Sequence, residues 1–362
     1  MTATIVRDAS VHDTAKKEAF EQRLLGMLNN AGIAIMTSLG HRAGLFDAMS
    51  RLPPSTSQQI ADQAGLNERY VREWLGAMAT GAVVEYQPDD RTYYLPPEHA
   101  ALLTRAASPT NMAASMQWVP LLGCVEDHVL AAFRHGQGVP YSAYQRFHEV
   151  MAEESAQTIV AGLADYILPL VPGLEQRLMH GIDVLDIGCG SGRAMNHLAG
   201  LYPNSRFRGY DFSDEGVEAA RNEAQRRGLT NVHFQVQDAA EINDRQAFDL
   251  ITAFDAIHDQ AKPAEVLRNI ASALRPDGTF LMQDISGSSH VHQDMNHLVA
   301  PFLYTISCMH CMSVSLANGG PGLGAMWGKE TALEMLKAAG FQQVRVESLP
   351  HDIMNFYYIA TV

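Results

Sequence analysis

The chain has 362 residues, 47% of them hydrophobic and 18% charged, which is enough apolar material for two or three folded domains. A formal net charge of −14 opposes general affinity for nucleic acid or anionic lipid, which needs clustered Lys and Arg to release counterions, and favours a small-molecule partner. Four cysteines in so long a chain are too few for a disulfide framework and fit a reducing compartment.

The stretch Met1–Asp8 lacks the apolar core of a signal peptide, and Leu24–Leu39 is broken by Asn29-Asn30 and too short to span a bilayer. A cytoplasmic location and no membrane partner are therefore expected. Apolar residues Phe20, Leu24, Leu25, Met27, Leu28, Ile33 and Ile35 can pair with a second subunit, which predicts a homodimer, or pack on the chain's own next domain. From Ser55 to Leu66 the pattern is a capped short helix and a glycine turn; a second helix comes next, from Asn67 to Thr80. Gly81–Tyr86, a Pro-Asp-Asp turn and Thr92–Leu95 then alternate like a β-hairpin. The set resembles a winged helix-turn-helix. Its second helix exposes Glu68, Arg69, Arg72 and Glu73, a near-neutral face, whereas a DNA-reading helix aims cations at phosphates; DNA binding is disfavoured. Between about Asn111 and Gln176 a connector rich in Met, Trp and Tyr, broken at Gly136–Pro140, is expected to be helical and to cap the C-terminal domain. The predicted divisions are residues 1–105, 106–176 and 177–362.

The most informative run is Val184-Leu185-Asp186-Ile187-Gly188-Cys189-Gly190-Ser191-Gly192, with Asp211 closing a second apolar run about twenty residues later. An apolar strand feeding glycines and then an acid describes a nucleoside site. The dinucleotide fingerprint wants G-x-G-x-x-G around a pyrophosphate; this loop reads D-x-G-x-G-x-G. A carboxylate at Asp186 would repel phosphates and can hold an ammonium, which points to S-adenosylmethionine, whose amino acid part carries one. Cys189 reads as a small residue fitted to a crowded turn. Farther on, Phe248–Asp259 reads as a strand with its exit loop, and Ala273-Leu274-Arg275-Pro276-Asp277-Gly278 as a tight turn in which the glycine supplies positive φ.

In this order the motifs resemble class I S-adenosylmethionine-dependent methyltransferases over roughly the C-terminal half. The resemblance implies a Rossmann-like, seven-stranded α/β methyltransferase domain preceded by an α+β winged-helix domain and a helical connector. It implies cofactor contacts at Asp186, Gly188, Gly190, Gly192, Asp211, Phe212, Asp238, Ala239 and Phe254, with Asp211 taking the ribose hydroxyls and Asp238 the adenine amine. An N-terminal winged-helix domain that dimerises is found in the small-molecule O-methyltransferases, whose usual opening Leu39–Asp47 is similar to; a group often filed as transcriptional regulators shares the two-domain layout.

Methyl transfer from a sulfonium needs alignment more than covalent help, and a base only where the nucleophile is protonated. His258 is the candidate base: it lies just past the fourth strand, and His258-Asp259 resembles the H-D-W motif of O-methyltransferases, with Gln260 in place of the tryptophan. A histidine that merely lines the pocket fits the same position. After the fifth strand, Tyr304 to Met312 is expected to form the apolar floor of the acceptor pocket, with His297, Tyr304 and His310 touching the acceptor. Cys308-x-x-Cys311 with His290 and His292 invites a zinc reading, but no regular second pair completes four ligands, so no metal is expected. The glycine-rich Asn318–Gly328 reads as a mobile lid or a close-packed turn. Lys329–Gly340 is expected as a helix. Val344–Glu347 and Asn355–Ala360 resemble the closing strand pair of the class I fold, which implies that the last is inserted antiparallel. The expected function is methyl transfer to a small, partly apolar acceptor at oxygen; the rivals are a DNA-binding regulator with adenosylmethionine as effector and a thiol or arsenical methyltransferase using Cys308 and Cys311.

Overall fold

Val184, Leu185 and Ile187 are fully buried because their strand is covered on both faces, the usual setting of a continuous apolar run in a parallel sheet. The computed structural model describes residues 13–362, so Met1–Asp8 lies outside the described residues. Two compact units divide the chain, Met1–Ala106 and Ala107–Val362.

In the first unit the helices α1 (Thr14–Arg42), α2 (Leu45–Met49), α3 (Ser57–Ala64) and α4 (Glu68–Thr80) precede a two-stranded antiparallel sheet, β1 (Glu85–Gln87) and β2 (Thr92–Tyr94). A capping box starts α3, with Thr56 and Gln59 satisfying each other's backbone N–H groups, and Gly65 ends it at φ 67°, a conformation costly for any residue with a Cβ. Phe46, Ile60, Leu75 and Met78 fill the core, and Phe46 meets Trp74 edge to face at 5.3 Å. The arginines of α4 are engaged within the helix, Arg69 with Glu73 and Arg72 with Glu68, both at 2.5 Å. Phe20, Leu24, Leu25, Met27, Leu28 and Ile35 are exposed along α1.

The second unit is built on a sheet of seven strands: β3 (Asp183–Ile187), β4 (Arg206–Asp211), β5 (Val232–Val236), β6 (Phe248–Phe254), β7 (Leu274–Ile285), β8 (Gln343–Leu349) and β9 (Asp352–Thr361). Their order is β5-β4-β3-β6-β7-β9-β8, parallel except that β9 runs antiparallel between β7 and β8. The closing strand pair thus has the topology that the class I resemblance implies. The connector, from residue 107 to 176, belongs to this unit as short helices, among them Trp118–Gly123, Glu126–His135 and Phe147–Ser155. Among the described residues only Ala300–Ala317 is long and apolar enough to cross a membrane, and half of it is buried in the protein.

Two local expectations are refined. Arg275–Gly278 is no tight turn: these residues bulge from β7, whose pairing with β6 jumps from Phe248↔Leu274 to Leu250↔Thr279. Gly278 is required by crowding rather than by positive φ, since a Cβ there would lie 2.9 Å from the Arg275 carbonyl oxygen. The glycine-rich run before helix Gly328–Ala339 is close-packed: a Cβ on Gly324 would meet Ser307 Oγ at 2.3 Å and one on Gly328 the Ser289 nitrogen at 2.0 Å.

Candidate active site

The carboxyl ends of β3, β4, β6 and β7 converge on one edge of the sheet, where the order reverses between β3 and β6, the place where open α/β sheets hold ligands. A cavity of about 220 Å³ opens there, and a second of about 280 Å³ adjoins it, the two sharing Tyr141, Gly188, Asp211, Phe212, Asp259 and Gln260.

The loop after β3 turns sharply because Gly188, Gly190 and Gly192 all have positive φ, 69°, 49° and 67°. No side chain fits at its ends: a Cβ on Gly188 would lie 2.5 Å from Ala256 Cβ, and one on Gly192 2.6 Å from both Ala220 and Phe234. Asp186 is 3% exposed and accepts a 2.6 Å hydrogen bond from Thr252 Oγ1. Burial raises its pKa to about 7, and the nearby Asp211 adds to the rise. Asp211 accepts from the backbone N–H of Gly190 and of Ser213, each at 2.8 Å, which locks the carboxylate against the loop and leaves lone pairs for a ligand. Burial lifts its pKa too, against those two N–H bonds. Asp238 caps a single 3₁₀ turn by accepting from Ala240 N at 2.8 Å, and lines the second cavity with Ala239.

Asp186, Gly188, Gly190, Asp211, Phe212, Phe254, His258 and His310 all line the first cavity, whereas Asp238 and Ala239 line only the second. Gly192 starts the next helix and belongs to neither lining. His297 and Tyr304, expected to touch the acceptor, also lie outside both linings. The reason is helical phase: Phe302, Leu303, Ile306 and His310 turn one face of Ala300–Ala317 toward the cavity, so Tyr304 points aside and donates to Asp294 at 3.0 Å. His297 Nε2 is bonded to Ser286 Oγ at 3.1 Å instead.

At the far side of the glycine loop, His258 is buried and donates from Nδ1 to Asp284 Oδ1 at 2.7 Å, and Trp327 Nε1 donates to the same oxygen at 3.0 Å. Burial by itself lowers the pKa of His258; the Asp284 carboxylate and then the Cys311 thiol outweigh it and leave the value well above the usual one. Asp259, bonded by the Tyr141 hydroxyl, is raised by burial to about 6. Asp255, at φ 49°, holds a strained value for a residue with a Cβ and accepts from Gln283 Nε2 at 3.0 Å. Burial and then Asp284 raise it well above the carboxylate range. Donor atoms of Asp255, His258 and Asp284 lie within 4.8 Å of one another, the spacing of a metal site among the described residues; Cys308 and Cys311 are not in that group.

Asp284 and Trp327 escape a reading of the sequence. An acid closing β7 is a visible signal for Asp284, since Asp211 and Asp238 are found by the same rule at the ends of β4 and β5. Trp327, more than forty residues away in the chain, offers no such signal.

Comparison with known proteins agrees with this layout. Residues 31–105 match the Rv2258c-like winged HTH domain and residues 178–340 the Methyltransferase domain model. Over 135 residues the chain is 30% identical to the ubiquinone biosynthesis O-methyltransferase of Coxiella burnetii (strain Dugway 5J108-111), which covers 37% of this chain and 52% of that protein. The chain therefore spans about half the length of the curated relatives it matches. Human N-acetylserotonin methyltransferase, solved in complex with SAM, superposes with a TM-score of 0.68 at 16% identity, covering 98% of this chain and 99% of that one. The mitomycin 7-O-methyltransferase MmcR does so with a TM-score of 0.67 at 18% identity, covering 96% and 100%. Likeness at these identities establishes the fold.

Proposed function

We propose that this chain, a winged helix-turn-helix domain joined to a Rossmann-like methyltransferase domain, transfers the methyl group of S-adenosylmethionine to an oxygen of a small, partly apolar acceptor. One observation carries the reading: a tight glycine loop flanked by buried carboxylates, and His258 held by Asp284, open onto a single cavity. The donor set suits the cofactor. A buried carboxylate at Asp186, close to its neutral form without a partner, favours an ammonium beside it, and a loop whose ends exclude Cβ atoms admits a ligand against bare backbone.

On this reading Asp186 and the loop Gly188–Gly192 hold the methionine part, Asp211 the ribose hydroxyls and Asp238 the adenine amine. Phe212, Ala239 and Phe254 supply apolar contact. The bound cofactor supplies an electrophilic methyl carbon on a sulfonium, a leaving group that needs no activation. Above its raised pKa, with the imidazole neutral and Nε2 free, His258 accepts the acceptor's hydroxyl proton, while Asp284 keeps Nδ1 protonated and stabilises the imidazolium that results. Trp118, Phe147, Met151, Ile285 and Phe302 give the cavity an apolar wall that orients the acceptor and keeps water out.

The rival readings draw less support. Both arginines of α4 are paired within their own helix, which weakens a DNA-reading role. Burial raises the Cys311 thiol, which disfavours the thiolate that a soft-nucleophile site would use. The exposed apolar residues of α1 favour a homodimer.

Calorimetric titration with adenosylmethionine and adenosylhomocysteine tests the cofactor site. Wild type binds both and Asp211→Ala weakens both; absence of binding by the wild type refutes the reading. With a panel of phenols as acceptors, His258→Gln keeps cofactor binding and loses turnover.

A further inference from the structure

His310 is 2% exposed, and neither of its ring nitrogens has a hydrogen-bond partner among the described residues. Four aromatic rings enclose it: Phe147 stacks on it at 4.4 Å, and Tyr144, Tyr141 and Trp118 meet it edgewise at 4.8, 5.5 and 5.7 Å. The polar atoms of those rings all have other partners. Tyr144 donates to the Met309 carbonyl, Tyr141 to Asp259 and Trp118 to Glu154, so no small rotation satisfies the imidazole. A buried polar group without a partner costs stability, and one that lines a ligand cavity persists when a ligand pairs with it. The backbone supports this placement. Ser307–Cys311 forms a π-turn, a widened turn common at functional sites, and it sets Ile306, His310 and Cys311 together against the cavity. Burial, and then the charge of His258, lowers the pKa of His310 to about 3. It is therefore neutral, with one N–H to donate and one nitrogen to accept.

We propose that the acceptor is a flat, uncharged aromatic molecule with two polar substituents: the oxygen that takes the methyl group and a second hydrogen-bonding group that pairs with His310. The inference rests on the methyltransferase reading above. The Tyr141 ring spans the two positions, facing His310 on one side and bonding through its hydroxyl to Asp259, the neighbour of His258, on the other. The second substituent is uncharged because His310 is neutral and Trp118, packed against it, is bonded to Glu154, while the lining's one arginine, Arg193, comes directly after the glycine loop. An anionic substituent there would meet a neutral imidazole and the Glu154 carboxyl.

Wild type and His310→Phe, each saturated with adenosylhomocysteine, are titrated with phenol, catechol and salicylate and monitored by NMR shifts. The wild type should bind catechol about fivefold tighter than phenol, the worth of one net hydrogen bond, and salicylate more weakly than either. In His310→Phe the catechol preference should vanish, and the free variant should melt at a higher temperature, because phenylalanine fills the aromatic box without unpaired nitrogens. A catechol preference that survives the substitution overturns the proposal. So does a clearly lower melting temperature, or adenosylhomocysteine binding while none of the three probes binds. Failure of adenosylhomocysteine itself to bind counts against the methyltransferase reading instead, and the melting comparison then still decides whether His310 is unpaired.

Discussion

Replacing Asp186 with asparagine separates stability from cofactor binding. The side chain is 3% exposed, and its carboxyl, raised by burial to about 7, loses water without gaining a cation in the free protein. The folded state therefore holds a proton that the unfolded chain releases near the ordinary carboxylate value. Stability from this group is accordingly complete below about pH 4 and is lost as pH rises toward about 7, a penalty on the order of a few kcal/mol at alkaline pH. Asparagine keeps the shape and can still accept from Thr252, so the free Asp186→Asn protein should melt higher than wild type at about pH 8 and nearly equal to it at about pH 4. Cofactor binding should move the other way. Removing one partner of a buried ammonium–carboxylate pair costs at least about 2 kcal/mol, or roughly thirtyfold in affinity. In the wild type, affinity should improve by up to tenfold per pH unit as pH rises toward about 7 and then level off; in the variant it should be flat. Melting curves and calorimetric titration of adenosylhomocysteine at both pH values check this. A variant that binds with wild-type affinity and wild-type pH dependence would refute the assignment of Asp186 to the ammonium.

Asp284→Asn removes the charge that raises His258, so burial should take the pKa of the histidine below its ordinary value; NMR titration of labelled histidine should show the inflection move down by about one pH unit or more. Because the raised His258 contributes stability that is complete below about pH 6.5 and lost as pH rises through its folded value, the variant should lose more stability in acid than in base. Gly328→Ala should cost about 2 to 4 kcal/mol in chemical denaturation, since a Cβ would sit 2.0 Å from the Ser289 nitrogen at a φ of 82°; a neutral result would mean the glycine-rich run can open. Leu24→Lys with Leu28→Lys places two charges on the exposed apolar face of α1, and sedimentation should show a dimer in the wild type and a monomer in the variant.

The elements near the cofactor were legible because their chemistry is local. One strand, three glycines and an acid at the next strand's end all fall within about thirty residues, and backbone geometry forces glycine wherever φ is positive and a Cβ would collide. Periodicity likewise pointed to a helix over Lys329–Gly340, found as Gly328–Ala339 with Gly340 at φ 109° as its cap, while the antiparallel insertion of β9 followed from the family resemblance. The acceptor side was only half legible. Spacing alone put His297, Tyr304 and His310 on one segment, but which of them meets the cavity depends on helical phase and on a π-turn that shifts it, and neither is written in composition. Asp284 and Trp327 join His258 through bonds spanning 26 and 43 residues, and only the closure of the sheet and the packing of the glycine-rich run bring them together. The sequence by itself pointed to the fold, to the glycine loop after β3 and to His258 at the exit of β6. Tertiary structure alone decided what holds that residue in place and which side chains stand without partners, because burial and orientation arise from contacts between segments far apart in the chain.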